Sequence, residues 1–143
     1  MPSFTIGLSN LQQTGPILEI QIAIPRDLFN VLKQNNQPIS NPIKAIALID
    51  TGATSSVVNP DIIRALGISP TGRIKISTPS DTDVDCNQFK LAFVFPNNVI
   101  IESSDVIEAP LKGQPIQCLL GRDILRHAVF IYNGYMQQIT YSV

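Results

Sequence analysis

The chain is poor in the residue types from which many sites are built. It has one histidine, His127, and two cysteines, Cys86 and Cys118. Two cysteines make no disulfide framework, and both read as small, partly buried free thiols. No serine or cysteine sits in a recognisable nucleophile motif, and His127 reads as a surface residue near a helix end. Charge is sparse: Asp, Glu, Lys and Arg make up 15% of the residues and the net charge is −1. Lys and Arg are scattered singly, so nucleic acid is not an expected partner. No apolar run approaches the ~18 residues of a membrane span, so no membrane partner is expected. The opening Met1-Pro2-Ser3-Phe4-Thr5-Ile6 lacks the basic and apolar regions of a secretory signal. With no disulfide framework either, a reducing, cytoplasmic location is expected. Internal repeats, linkers and low-complexity stretches are missing, so residues 1–143 are expected to form one domain.

Apolar alternation is what the sequence has instead. Leu18, Ile20, Ile22 and Ile24 alternate with Glu19, Gln21 and Ala23, the period of a half-buried strand. Phe89, Leu91, Phe93 and Phe95 repeat the pattern. Residues 43–49 form a more continuous apolar run, which predicts a strand buried on both faces. Ala128–Tyr132, Asn133-Gly134 and Tyr135–Tyr141 predict a hairpin with a type I′ turn. Three helical pieces interrupt the strands. Asn59-Pro60-Asp61 predicts a capped helix start, with Ile62, Ile63 and Leu66 as its apolar stripe and Gly67 at its end. Arg122–His127 predicts a second short helix, and Arg26–Lys33 a third. The fold class is therefore all-β in the broad sense, mainly β with one to three short helices.

Two strings carry the chemistry. In Leu48-Ile49-Asp50-Thr51-Gly52-Ala53-Thr54 an apolar strand runs straight into a carboxylate on a glycine turn. Carboxylates in such positions cluster at functional sites. The second string is Leu119-Leu120-Gly121-Arg122-Asp123-Ile124-Leu125. Together, in this order, they resemble the retropepsin-like aspartic proteases over about residues 43–132.

That resemblance implies a retropepsin-like acid-protease half-barrel with one lobe per chain. Only one Asp-Thr-Gly is present, so two chains are needed to supply two aspartates. The implied activity is a homodimeric aspartic endopeptidase acting on a peptide or protein substrate, with Asp50 of each subunit catalytic. It uses no metal and no cofactor. Thr51, Gly52 and Ala53 would support the active site: Thr51 through its hydroxyl at the dimer axis, Gly52 through its amide. Ala53 offers no hydroxyl to a charged carboxylate, which predicts an optimum of about pH 5–6 rather than about pH 2–3. Gly121 and Arg122 are expected to support structure and dimer. The acid that pairs with this arginine in viral relatives is replaced by Thr54. Asp123 reads as a helix-start acid.

A flap hairpin is implied between the strings, with Gly72–Ser77 as one arm and the return from Val84. Ile76, Thr78, Pro79, Ser80 and Asp81 are its expected substrate-binding residues. Asp81, Asp83 and Asp85 have calcium-loop spacing but lack the glycine and distant glutamate of that loop, so no metal is expected. Ile49, Ile74, Ile76 and Leu120 are expected to line an apolar cleft. The Arg26–Pro42 segment is extra relative to viral enzymes and would rim the cleft or brace the dimer. Ile139, Tyr141 and Val143 are candidates to close the dimer, and so is Ser3–Leu8. The alternative reading keeps the fold without catalysis, as a dimerisation or peptide-binding module working by strand addition.

Overall fold

The computed structural model describes residues 2–77 and 83–143. In chain order these form β1 (Ser3–Gly7), α1 (Leu11–Thr14), β2 (Ile17–Ala23), α2 (Arg26–Gln34), β3 (Ile43–Ile49), β4 (Val57–Val58) and α3 (Pro60–Leu66). There follow β5 (Gly72–Ile76), β6 (Val84–Val94), β7 (Ile100–Glu108), β8 (Cys118–Leu120), α4 (Arg122–Leu125), β9 (Val129–Asn133) and β10 (Gln138–Ser142). The chain is mainly β, and α1 is a fourth helix beyond the three that periodicity predicts. None of these helices is long and apolar enough to cross a membrane.

Seven strands form one sheet in the order β2-β3-β8-β4-β7-β6-β5, and β2 also pairs with β6, curling the sheet back on itself. Leu18, Ile20 and Ile22 of β2 and Phe89, Leu91 and Phe93 of β6 all point into the core. The alternation thus places one face of each strand inside, as its period of two requires. In β3 only Ala45, Ala47 and Ile49 are fully buried, and Lys44 is exposed. Its other face is half-covered, not buried.

α3 forms where its caps dictate. The Asn59 side chain accepts a hydrogen bond from the Asp61 amide (3.1 Å), Pro60 takes the first turn, and Gly67 ends the helix at φ 67°. α2 lies on the outside of the sheet. Leu28 and Leu32 pack on the core, and Asp27 takes a hydrogen bond from Lys90 at 3.1 Å, which together with the Leu28 amide holds its carboxyl below the usual range. The Arg26–Pro42 segment therefore braces β6.

β1, β10 and β9 form a second, three-stranded antiparallel sheet. The Tyr141 ring stacks between Phe4 and Phe95, with centroids 5.6 and 4.8 Å away. Both strand groups proposed to close a dimer are thus engaged with each other inside one chain, Ser3 opposite Ser142 through Gly7 opposite Gln138. Ile139 and Tyr141 are fully buried and face the core.

The β9–β10 hairpin exists, but its turn is not type I′. Asn133 and Gly134 are not at positive φ; Gln137 is, at 54°. Four residues make the loop. Asn133 accepts the Met136 amide through its side chain (3.0 Å), and the Gln137 side chain accepts the Leu11 amide (2.8 Å). The Gln137 side chain, which also donates to the Gly134 carbonyl at 2.8 Å, thus ties the turn to α1.

Cys86 and Cys118 are free and buried. Burial pushes both thiols up, with Asp85 adding to the effect at Cys86 and Asp123 at Cys118. Brief iodoacetamide labelling at neutral pH is expected to leave Cys118 unmodified until denaturant is added. Mass spectrometry reads this, and fast labelling of the folded chain would contradict a buried β8.

Candidate active site

β3 runs parallel to β8, with Ile49 beside Leu120. Both side chains are buried in the core, so neither lines a cleft. The register aims them inward and leaves the next residue, Asp50, at the strand's end. Asp50 is half-buried, while Thr51 and Gly52 are exposed. The Gly52 amide donates to Oδ1 of Asp50 at 2.9 Å. The glycine amide therefore serves the carboxylate of its own turn. Ala53 donates its amide to the Asp50 carbonyl at 3.2 Å, closing the turn.

The second string is folded onto the first. The Asp50 amide donates to the Leu120 carbonyl, and the Arg122 amide to the Ala53 carbonyl, both at 2.9 Å. The Arg122 guanidinium reaches the Thr51 carbonyl (2.7 Å) and the Thr54 hydroxyl (3.1 Å). With Thr54 in place of an acid, the fork holds neutral oxygens and stays exposed. Gly121 lies against the backbone of Ser55 and Ala53, close enough that no Cβ fits.

Asp123 does more than start a helix. Its Oδ1 accepts the amide of Ser56 (2.9 Å) and the hydroxyl of Ser56 (2.8 Å), and its Oδ2 accepts the hydroxyl of Ser103 (2.6 Å). The Ser56 hydroxyl in turn accepts the Gly121 amide at 3.0 Å. A four-residue helix has little dipole to offer a carboxylate; three hydrogen bonds to β4's approach and to β7 have much more. Ser56 and Ser103 are the buried polar residues of the chain's described part. Nothing in the sequence marks them, because only the fold brings residues 56, 103 and 123 together.

The hairpin between the strings is present. β5 pairs antiparallel with β6 from Gly72 opposite Gln88 to Ile76 opposite Val84. Ile74 and Ile76 are half-buried, and Asp83 and Asp85 are exposed. Thr78, Pro79, Ser80 and Asp81 lie outside the described residues. Two surface grooves of about 540 and 650 Å³ flank β2 and α2, and neither is lined by any residue of the Asp50 turn. His127 is exposed, just past α4.

A mainly-β lobe with an Asp-Thr-Gly turn latched to a Gly-Arg-Asp helix start defines a class of proteins, the retropepsin-like aspartic proteases. The aspartyl protease family model matches residues 39–124. The chain belongs to that family. Among solved structures it is similar to a retropepsin-like aspartic protease from Rickettsia conorii, at 18% identity and TM-score 0.50, covering 89% of this chain and 94% of that one. Simian foamy virus (mac) protease matches at 16% identity and TM-score 0.47, covering 76% and 92%. The EIAV protease, solved with the inhibitor HBY-793, matches at 20% and 0.45, covering 84% and 92%. At 18% identity the likeness to the Rickettsia protein is one of fold. No curated protein matches the sequence.

Proposed function

We propose that the chain is a single-domain, homodimeric aspartic endopeptidase of cytoplasmic location, with Asp50 of each subunit as its catalytic residue. Family membership supports a protease. The observation that carries the finer reading is the Asp50 turn itself. Its carboxylate is oriented by the Gly52 amide, belongs to a half-buried residue at the strand's end, and rests on a turn held at many points by residues 120–123.

Two carboxylates brought to about 3 Å cannot both ionise, so they share one proton, the pattern for which aspartic proteases are the standard example. The ionised Asp50 takes a proton from a water between the two. The protonated one gives its proton to the peptide carbonyl oxygen as the water oxygen adds to the carbonyl carbon. Collapse of that adduct breaks the C–N bond, with a carboxyl proton passing to the leaving nitrogen. Thr51, Gly52 and Ala53 support the carboxylates, and Gly121 and Arg122 hold the turn. The β5–β6 hairpin serves as a flap, with Ile76, Thr78, Pro79, Ser80 and Asp81 against an extended peptide. No cofactor or metal takes part.

The test is peptide cleavage read by mass spectrometry. Wild-type chain and Asp50→Asn are incubated at high protein concentration with a complex peptide mixture between about pH 4 and 7. Cuts made by wild type alone are expected, and their flanking residues define the pockets. Identical peptide maps from both chains at every pH would reject the protease and leave the binding-module reading.

A further inference from the structure

We propose that Arg122 and Arg126 form a carboxylate-binding subsite beside Asp50, so that the chain takes extended peptides with a glutamate or aspartate a few residues from the bond to be cut. The inference deepens the reading above and rests on it, since it names the peptides that site would take.

The two arginines stand on one side of α4. The Arg126 amide donates to the Arg122 carbonyl at 2.9 Å, and Arg126 keeps helical dihedrals, φ −58° and ψ −18°. Residues four apart on a helix are neighbours, with about 5–6 Å between their Cβ atoms. Both side chains are exposed. Two like charges at this spacing repel, and an anion between them relieves the repulsion. Among the described residues no carboxylate does so: the ion pairs there join Arg64 to Asp61 and Lys90 to Asp27. Asp123, next along from Arg122, is spent inward. Its two oxygens take the amide and hydroxyl of Ser56 and the hydroxyl of Ser103.

The Arg122 fork is fixed in place and has donors to spare. It touches the Thr51 carbonyl and the Thr54 hydroxyl, and a guanidinium has more N–H groups than these two neutral oxygens use. A carboxylate is the group that meets such a fork with two parallel bonds. The fork rests against the residue that follows Asp50, so a peptide lying across Asp50 passes it. An extended chain advances about 3.3 Å per residue, which brings a side chain roughly two to four residues from the reacting bond level with the arginines. The β5–β6 hairpin does not oppose an acid there. Among its described residues, exposed Arg73 and Lys75 match exposed Asp83 and Asp85 in number.

The probes are short amidated apolar peptides, each with one glutamate walked along the sequence and each with a glutamine twin. Amidation removes the terminal carboxylate, so only the side chain is scored. Binding to the Asp50→Asn chain at neutral pH, read by fluorescence anisotropy, does not depend on cleavage. At one register the glutamate twin is expected to bind at least about fivefold tighter. Thr54→Asp gives the Arg122 fork a carboxylate of its own. It is expected to cut the preference below about twofold while the melt of the parent is kept. Arg126→Ala is expected to lower the preference in part. Twins bound alike, neither twin bound, or a preference that either variant leaves in place overturns the proposal. Digestion of the same peptides by wild type separates the subsite from the activity. Glutamate twins bound tighter while wild type cuts neither sink the protease reading alone. Twins bound alike, yet cut by wild type and not by Asp50→Asn, sink the subsite alone.

Discussion

Replacing Gly121 with alanine is expected to cost about 2–4 kcal/mol of stability and to abolish Asp50-dependent cleavage. A Cβ on Gly121 would sit 2.7 Å from the carbonyl carbon of Ser55, 2.8 Å from its oxygen and 3.0 Å from the carbonyl oxygen of Ala53. These are backbone atoms of the turn that carries Asp50, so no flexible side chain can swing aside. The Gly121 backbone lies at φ −91° and ψ −170°, which alanine adopts without strain. The effect is therefore one of space, and relief requires the 53–55 segment to move away from α4. That movement breaks the bond from the Arg122 amide to the Ala53 carbonyl and shifts the carboxylate. A thermal melt reads the first part, with a fall of roughly 5–10 °C, and the peptide assay the second. Gly7→Ala is the control: nothing lies within 4 Å of its added Cβ, and it should melt with the parent. An unchanged melt for Gly121→Ala would mean that the turn is not held against α4.

Asp123→Ala is expected to be comparably severe, at about 2–4 kcal/mol, while Asp123→Asn costs no more than about 1 kcal/mol. The alanine leaves the amide and hydroxyl of Ser56 and the hydroxyl of Ser103 without their acceptor, and both serines are buried. Asparagine keeps an oxygen for Ser56 and turns its amide nitrogen to Ser103, whose hydroxyl can accept. Ser103 already accepts the Asp105 amide at 3.1 Å, so the asparagine arrangement is poorer without being broken. Urea unfolding of the parent and both variants reads the order. Equal loss from alanine and asparagine would mean that the charge matters and the hydrogen bonds do not; no loss from either would remove Asp123 from the support of the turn.

The two strings and the capped helix α3 were legible because their causes are local, whereas the hairpin from Gly72 followed from the family resemblance. Asn59-Pro60 and Gly67 act on their own helix ends, and the strands of β2 and β6 follow from a period of two within each segment. The Asp50 turn closes within four residues, from the Asp50 carbonyl to the Ala53 amide. α1 was missed for the opposite reason. One helical turn has no apolar period to detect, and its first amide is satisfied by Gln137, far away in the sequence. At the other end of that bond the Asn133-Gly134 preference is not realised, and the positive φ falls on Gln137.

By itself the sequence determined an Asp-Thr-Gly turn on a mainly-β framework, since turn chemistry, caps and alternation act between near neighbours; the protease reading of that turn came from its resemblance to a family. Only the tertiary structure decided what those elements meet. It turned Ile49 and Leu120 inward, gave Arg122 the Thr51 carbonyl and Asp123 two distant serines, and joined β1 to β10. Each of these is a pairing between residues remote along the chain. Strand register and core packing select such pairings, and no local pattern records them.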